Sequence, residues 1–336
     1  MTMAFLLHGA AGAVRAGGNH RSGLPAALAL ALLSVPLAAL AHGDAAGDIH
    51  ALASIGWSGW NSEPWLWSLM LGSAGLYACG LARLWREAGP GRGIQPVRAA
   101  AFALGWLALA AALLSPLDTW SARLFSVHMV QHELLMLVAA PLLAVARPLG
   151  AFVWALPRRW RRPAWRCVHE GGIQRSVRAL SQPLTAWAVH AAALWVWHVP
   201  ALFQRALASE PVHIAQHLSF FVTALLFWWA LLRPGMQRDG YGLSTLYVLT
   251  TAMHTGALGA LLTFAQTPWY PAYAASAQEL GMTALEDQQL GGLIMWVPAG
   301  FVYLGIALML FGAWLQAPRA AAGWLAPAGP ARPARR

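Results

Sequence analysis

The stretch Val127–Ala146, VHMVQHELLMLVAAPLLAVA, decides the fold. As a helix it reaches across the hydrocarbon core of a bilayer, which takes about 20 apolar residues. Glu133 is its only charged side chain. Six further blocks of the same kind follow or precede it: Trp65–Leu84, Val97–Leu114, Pro183–Val199, Val212–Leu232, Leu243–Phe264 and Gly291–Leu315. The 336 residues are 58% hydrophobic and only 10% charged, against roughly 25% charged in an ordinary soluble domain. Mean hydropathy is +0.52. Lipid offers no partner to the open edge of a sheet, so every backbone polar group must be satisfied within a helix. The chain therefore reads as all-α, a polytopic membrane helical bundle of about seven transmembrane helices.

The net charge of +10 suggests nucleic acid until the charges are placed. Lysine is absent, and the arginines sit in the loops between apolar blocks. Arg83 to Arg98, Arg147 to Arg178, Arg233 with Arg238, and Arg319 to Arg336 all fall on one side of the bundle. The opposite loops hold Arg123 and Arg205. The positive-inside rule puts the arginine-rich side in the cytoplasm, beside anionic membrane lipid, and excludes a nucleic-acid partner. The C-terminus is then inside and the mature N-terminus outside.

The first segment agrees with that orientation. Arg15 and Arg21 precede a short apolar run, Leu24–Leu40, which ends in Ala39-Leu40-Ala41. That order is a signal peptide over 1–41. Cleavage after Ala41 would leave His42 as an N-terminal copper chelator. A short outer segment covers 42–64, the membrane domain 65–315, and a disordered basic cytoplasmic tail 316–336. The tail's Ala, Pro and Arg cannot build a core. Cys79 falls in a span and Cys167 in an arginine-rich loop, with no C-x-x-C motif, which argues against thiol redox or thiolate relay chemistry.

Histidine is expensive in lipid and there faces a bundle interior or a polar cavity. His128, His132, His198, His213, His217 and His254 all lie in or beside spans; in this topology the first five are near the outer face and His254 is about the middle of its span, slightly outward. Two pairs share one pattern: His128-Met129-Val130-Gln131-His132 opens one span and His213-Ile214-Ala215-Gln216-His217 another. Those spans end alike, in Arg147-Pro148 and Arg233-Pro234, as expected of a parallel two-helix repeat. Residues i and i+4 lie one turn apart on one helix face, so each pair can offer two imidazoles to one metal. Gln131 and Gln216 point about 100° away and suit interhelical hydrogen bonds.

Imidazole serves copper, zinc, iron and nickel alike. Met129, Met136, Met253 and Met295 would favour copper(I), although methionine is also an ordinary gap-filler. Asp287 reads equally as a helix N-terminal acid and as a group that orients a ligating imidazole or captures a cation. Asp118 could do the second from its short loop. His132-Glu133-Leu134-Leu135-Met136 lacks the second histidine of H-E-x-x-H, so a metalloprotease is excluded. His190 reads as a hydrogen-bonded packing residue. No nucleophile–base set or phosphate-cradling loop is visible, and an enzyme is the least expected reading.

Five motifs together resemble the CtaG family of cytochrome c oxidase assembly proteins. They are Leu114-Ser115-Pro116-Leu117-Asp118, then Phe125 to His132 with Ala140-Pro141, then Trp197 to Phe203, His213 to His217, and Asp287 to Trp296. The likeness covers roughly Trp57 to Trp314. It implies a bacterial inner-membrane protein that helps metallate the copper B centre of a haem–copper oxidase. It further implies an oxidase subunit and a copper chaperone as partners, and His128, His132, His198, His213, His217, His254 and Asp287 as the metal-site residues. The single-span copper chaperones of the same name carry a cysteine motif that is absent here. Glu133 stands where the family would be expected to have an apolar residue. Two other readings remain open: a haem b electron-transfer protein using one histidine from each pair, and a copper or cation transporter. The apolar inner halves Ala139–Ala146 and Ala224–Leu232 disfavour the transporter.

Overall fold

A computed structural model describes residues 59–169, 172–233 and 240–316, the side chains of 168–174 excepted. The proposed signal peptide, His42 and most of the outer segment lie outside the described residues, as does the tail from 317 onward. The described chain is all helical, with no strand.

Helix α1 (Pro64–Ala88) and helix α2 (Pro96–Leu113) are the first two spans. Each begins with proline, which has no N–H to lose in a first turn. A short α3 (Pro116–Ser121) leads into the third span. That span is continuous but not uniform: α4 (Phe125–Glu133) passes into a π-helical turn, Leu134–Ala139, and then α5 (Ala140–Ala146). The long arginine-rich connection carries three short helices, α6 (Leu149–Ala155), α7 (Arg158–His169) and α8 (Gly172–Leu180). Then come α9 (Pro183–Trp197), α10 (Pro200–Ala208), α11 (Glu210–Leu231) and α12 (Tyr241–Thr263). After a 3₁₀ turn, Pro271–Tyr273, α13 (Ala274–Glu279) leads to the last and longest helix, α14 (Ala284–Gln316).

Six helices are long and apolar enough to span a membrane, and α9 with α10 would make a seventh. The expected fourth span, Pro183–Val199, is helical to Trp197 and then turns a corner. The pair bends by 76°, because Pro200 has no N–H to continue the ladder of α9 and restricts Val199 to extended backbone. The bend leaves His198 at the corner and lays α10 across the end of the bundle.

Large apolar side chains such as Leu71, Leu184, Phe301 and Leu308 are exposed on the helix faces. Water would not tolerate that density of apolar patches, whereas lipid would. Inside, Phe220, Phe227, Trp228, Tyr247 and Tyr303 form the largest buried cluster.

Two glycines set how closely backbones approach. A Cβ on Gly80 would lie 1.8 Å from the Ala151 carbonyl oxygen, so only glycine lets α1 pack on α6. A Cβ on Gly292 would meet the Gly259 carbonyl oxygen at 2.7 Å, which explains the tight pairing of α12 with α14.

The antiparallel spans sort the loops into two ends. The arginine end holds Arg83, Arg98, Arg147, Arg161 and Arg233; the other end holds the N-termini of α4, α11 and α14. The histidines lie towards this second end.

Candidate metal centre

The two H-x-x-Q-H segments stand on α4 and α11. These spans pack most closely along their lower halves, where α11 meets the π-helical turn and α5. At histidine level the backbones stand farther apart, and imidazoles fill the gap. The ring centroids of His128 lie 5.2 Å from His213 and 5.4 Å from His217. His132 lies 4.4 Å from His128 and 5.1 Å from His217. His198 reaches in from the corner after α9, 6.1 Å from His132. Five of the six expected histidines thus converge. Three of them, His128, His213 and His217, offer ligand atoms that all lie within 4.8 Å of one another.

Hydrogen bonds decide which nitrogens are available. His198 Nδ1 lies 2.7 Å from the Leu194 carbonyl oxygen. A carbonyl only accepts, so Nδ1 carries the proton and Nε2 keeps its lone pair. That Nε2 is buried and has no partner. His128 Nδ1 lies 2.9 Å from the Tyr273 hydroxyl, which in turn donates to the Ser121 carbonyl at 3.2 Å. One chain of donors satisfies both contacts: Nδ1–H to the phenol oxygen, and the phenol O–H to Ser121. His128 Nε2 then carries no proton. It faces His217 Nε2 at 3.4 Å. His213 Nε2 and both nitrogens of His132 are buried without a partner. Buried polar atoms are rarely left unpaired, and so many ring nitrogens together fit a site built to receive a cation. Phe203 and Phe220 wall it, 5.2 Å from His128 and 4.7 Å from His132.

Tyr273 was not singled out by sequence reasoning, and neither was Tyr270, whose hydroxyl donates to the His198 carbonyl at 2.8 Å. Both lie in the loop between α12 and α14. The available signal was two of the chain's six tyrosines within four residues of each other. Burial, with the Asp287 charge as a lesser cause, holds the Tyr273 phenol well above the usual tyrosine range, so it remains a donor. Replacing an outer partner of a ligating histidine typically weakens metal binding about 10–100-fold. For a metal ion resting on His128, Tyr273→Phe is expected to weaken binding by that factor in a metal competition titration, with thermal unfolding little changed.

Asp287 and His254 stand apart from this cluster. Asp287 is fully buried on α14. Its two carboxylate oxygens accept the backbone N–H groups of Phe125 at 2.7 Å and Ser126 at 3.0 Å. It caps α4, a helix other than its own, and so fixes the height of His128 and His132. The start of α14 has its own capping box, in which Thr283 and Glu286 exchange hydrogen bonds. The next two residues tie the same loop: Gln288 accepts the Trp269 N–H at 2.5 Å and Gln289 donates to the Ala265 carbonyl at 3.0 Å. His254 lies nine residues from the end of α12, about 14 Å deep at 1.5 Å per residue. It faces Trp187 on α9, with ring centroids 5.6 Å apart.

The glutamines of the two repeats differ. Gln131 donates to the Ala112 carbonyl and to Asp118, both at 2.8 Å, which is the interhelical bonding expected of it. Gln216 has no partner on either side-chain atom. Asp118 is spent on Gln131 and Asn61.

Comparison with known proteins joins this geometry to a family. The family model described as cytochrome c oxidase caa3 assembly factor (Caa3_CtaG) matches residues 75–317. The chain belongs to that family. The caa3 assembly factor match takes in every helix that contributes a histidine to the cluster. The chain is also 26% identical over 273 residues to an uncharacterised protein of Mycobacterium bovis and to one of Mycobacterium tuberculosis. A third, from Mycobacterium leprae, is 24% identical. These alignments cover about three quarters of this caa3 assembly factor family member, which spans only 40% of the relatives' length. No solved structure matches the chain.

Proposed function

We propose that this assembly factor holds copper on His128, His213 and His217 and hands it to the copper B centre of a haem–copper oxidase. The observation that carries the reading is the trio itself, with ligand atoms within 4.8 Å of one another. Ring nitrogens stripped of other partners surround it. Copper is cargo here, and imidazole is a fitting donor for it. His132 and His198 sit beside the trio with bare nitrogens. They give the ion somewhere to step by ligand exchange as it leaves.

The arginine distribution supports an outward-facing site in the bacterial inner membrane. Copper delivered by an external chaperone would then meet the cluster without crossing the bilayer. The apolar lower halves of α5 and α11 favour delivery on one face over transport. A haem fits the packing less well. Two imidazole nitrogens face each other at 3.4 Å, and Phe203 and Phe220 occupy the flanks that a porphyrin would need.

The test is made in cells. A strain lacking the protein is complemented with the wild type or with His128→Ala/His213→Ala/His217→Ala, and the oxidase is purified. The variant strain is expected to yield oxidase with normal haem but little copper B and little activity. Oxidase with full copper from that strain would refute the proposal.

A further inference from the structure

We infer that a second, deeper site for a single copper(I) ion lies between α4, the π-helical turn, α9 and α14, lined by Glu133, Met136, His190 and Met295. It rests on the reading of copper as this protein's cargo, and none of its residues belongs to the histidine trio. A small cavity opens among these side chains, also bordered by Tyr303 and Thr255. Its volume is about 10 Å³ by the space open to the centre of a water-sized sphere. That is room for one water molecule or one bare ion.

Glu133 Oε2 is buried there and has no partner. A carboxylate in the membrane interior is paired or functional as a rule, and no arginine lies within ion-pair distance of this one among the described residues. His190 is prepared in the same way as His198. The Thr223 hydroxyl lies 3.3 Å from the Phe220 carbonyl, to which it donates, and 3.1 Å from His190 Nδ1. With its proton used, Thr223 accepts from Nδ1–H, and His190 Nε2 keeps its lone pair. Glu133 and Met136 are three residues apart and share a helix face. The π-helical turn begins at the residue after Glu133, and such turns recur at functional sites.

The donor set names the ion. Two thioethers select copper(I) over zinc or nickel. One carboxylate with one monovalent ion is neutral, as a lipid-enclosed site should be. Glu133 follows His132 directly on the same helix, so the two sites lie at successive depths.

Copper(I) titration of the purified full chain, against a competing chelator, tests this. The wild type is expected to bind two equivalents. Met136→Leu/Met295→Leu, which conserves volume, should bind one, and Glu133→Gln should weaken the second equivalent at least tenfold. His128→Ala/His213→Ala/His217→Ala should also bind one, with sulfur scattering at the copper edge. Two equivalents retained by the methionine variant, or a single wild-type equivalent that the methionine variant keeps, would overturn the inner site. If the trio variant kept two while the methionine variant dropped to one, the trio would fail and the inner site would stand.

Discussion

Replacing His128, His213 and His217 together with alanine is expected to remove one whole equivalent of bound copper from the purified protein. The three imidazoles come from two helices and converge within 4.8 Å. Of the nearby carboxylates, Asp287 is taken up by the start of α4, while Asp118, bonded to Gln131 and Asn61, also lies close enough to act on His213. His132 and His198 alone would offer two nitrogens from rings 6.1 Å apart. The fold should survive the change. The change gives up the His128–Tyr273 hydrogen bond, worth about 0.5–1.5 kcal/mol, while the Nε2 of His213 has no partner to lose. Copper measured by mass spectrometry after chelator washing, with thermal unfolding in detergent as the control, gives the answer.

Asp287→Ala should do the reverse, damaging the fold first and the metal site through it. Two backbone N–H groups at the buried start of α4 would lose their acceptors. Each orphaned buried group costs about 1–3 kcal/mol. The favourable charge at the helix N-terminus is lost as well. A destabilisation of about 3–5 kcal/mol is expected on these terms, read as a large drop in unfolding temperature. Asp287→Asn keeps one acceptor oxygen and should lose about half as much. Copper retention should fall in proportion to the loss of order in α4. Full stability in the alanine variant would show that the cap is dispensable.

These two outcomes separate what the sequence could and could not disclose. The spans were legible because lipid demands long apolar helices, and each spanning helix begins or ends within a few residues of its apolar block; the short helices α3, α6, α7, α8, α10 and α13 have no such block and were not read. The histidine pairs were legible because i, i+4 spacing fixes a shared face. The depth of His254, about the middle of its span, was legible, but not its neighbour: it turns towards Trp187 on α9. Helical periodicity says which residues share a face, not which neighbour that face meets. The partners of Asp287 lie 162 and 161 positions away. No local pattern can announce such a bond, so the choice between an N-terminal acid and a cation-capturing group could not be made in advance. It caps a helix, but a different one. Tyr273 was hidden for the same reason. The corner at His198 was more accessible, since Val199-Pro200 marks a break in any helix. Glu133 looked like a departure within its motif, and in the fold it is the unpaired carboxylate at the head of the π-helical turn.

Three imidazoles are proposed to hold copper at the histidine end of the bundle. X-ray absorption at the copper edge tests it most directly, on Met136→Leu/Met295→Leu protein carrying one equivalent of copper(I). Three imidazole nitrogens around the metal and no sulfur are expected, with that signature lost in His217→Ala. A copper environment containing sulfur, or three nitrogens that persist without His217, would contradict it.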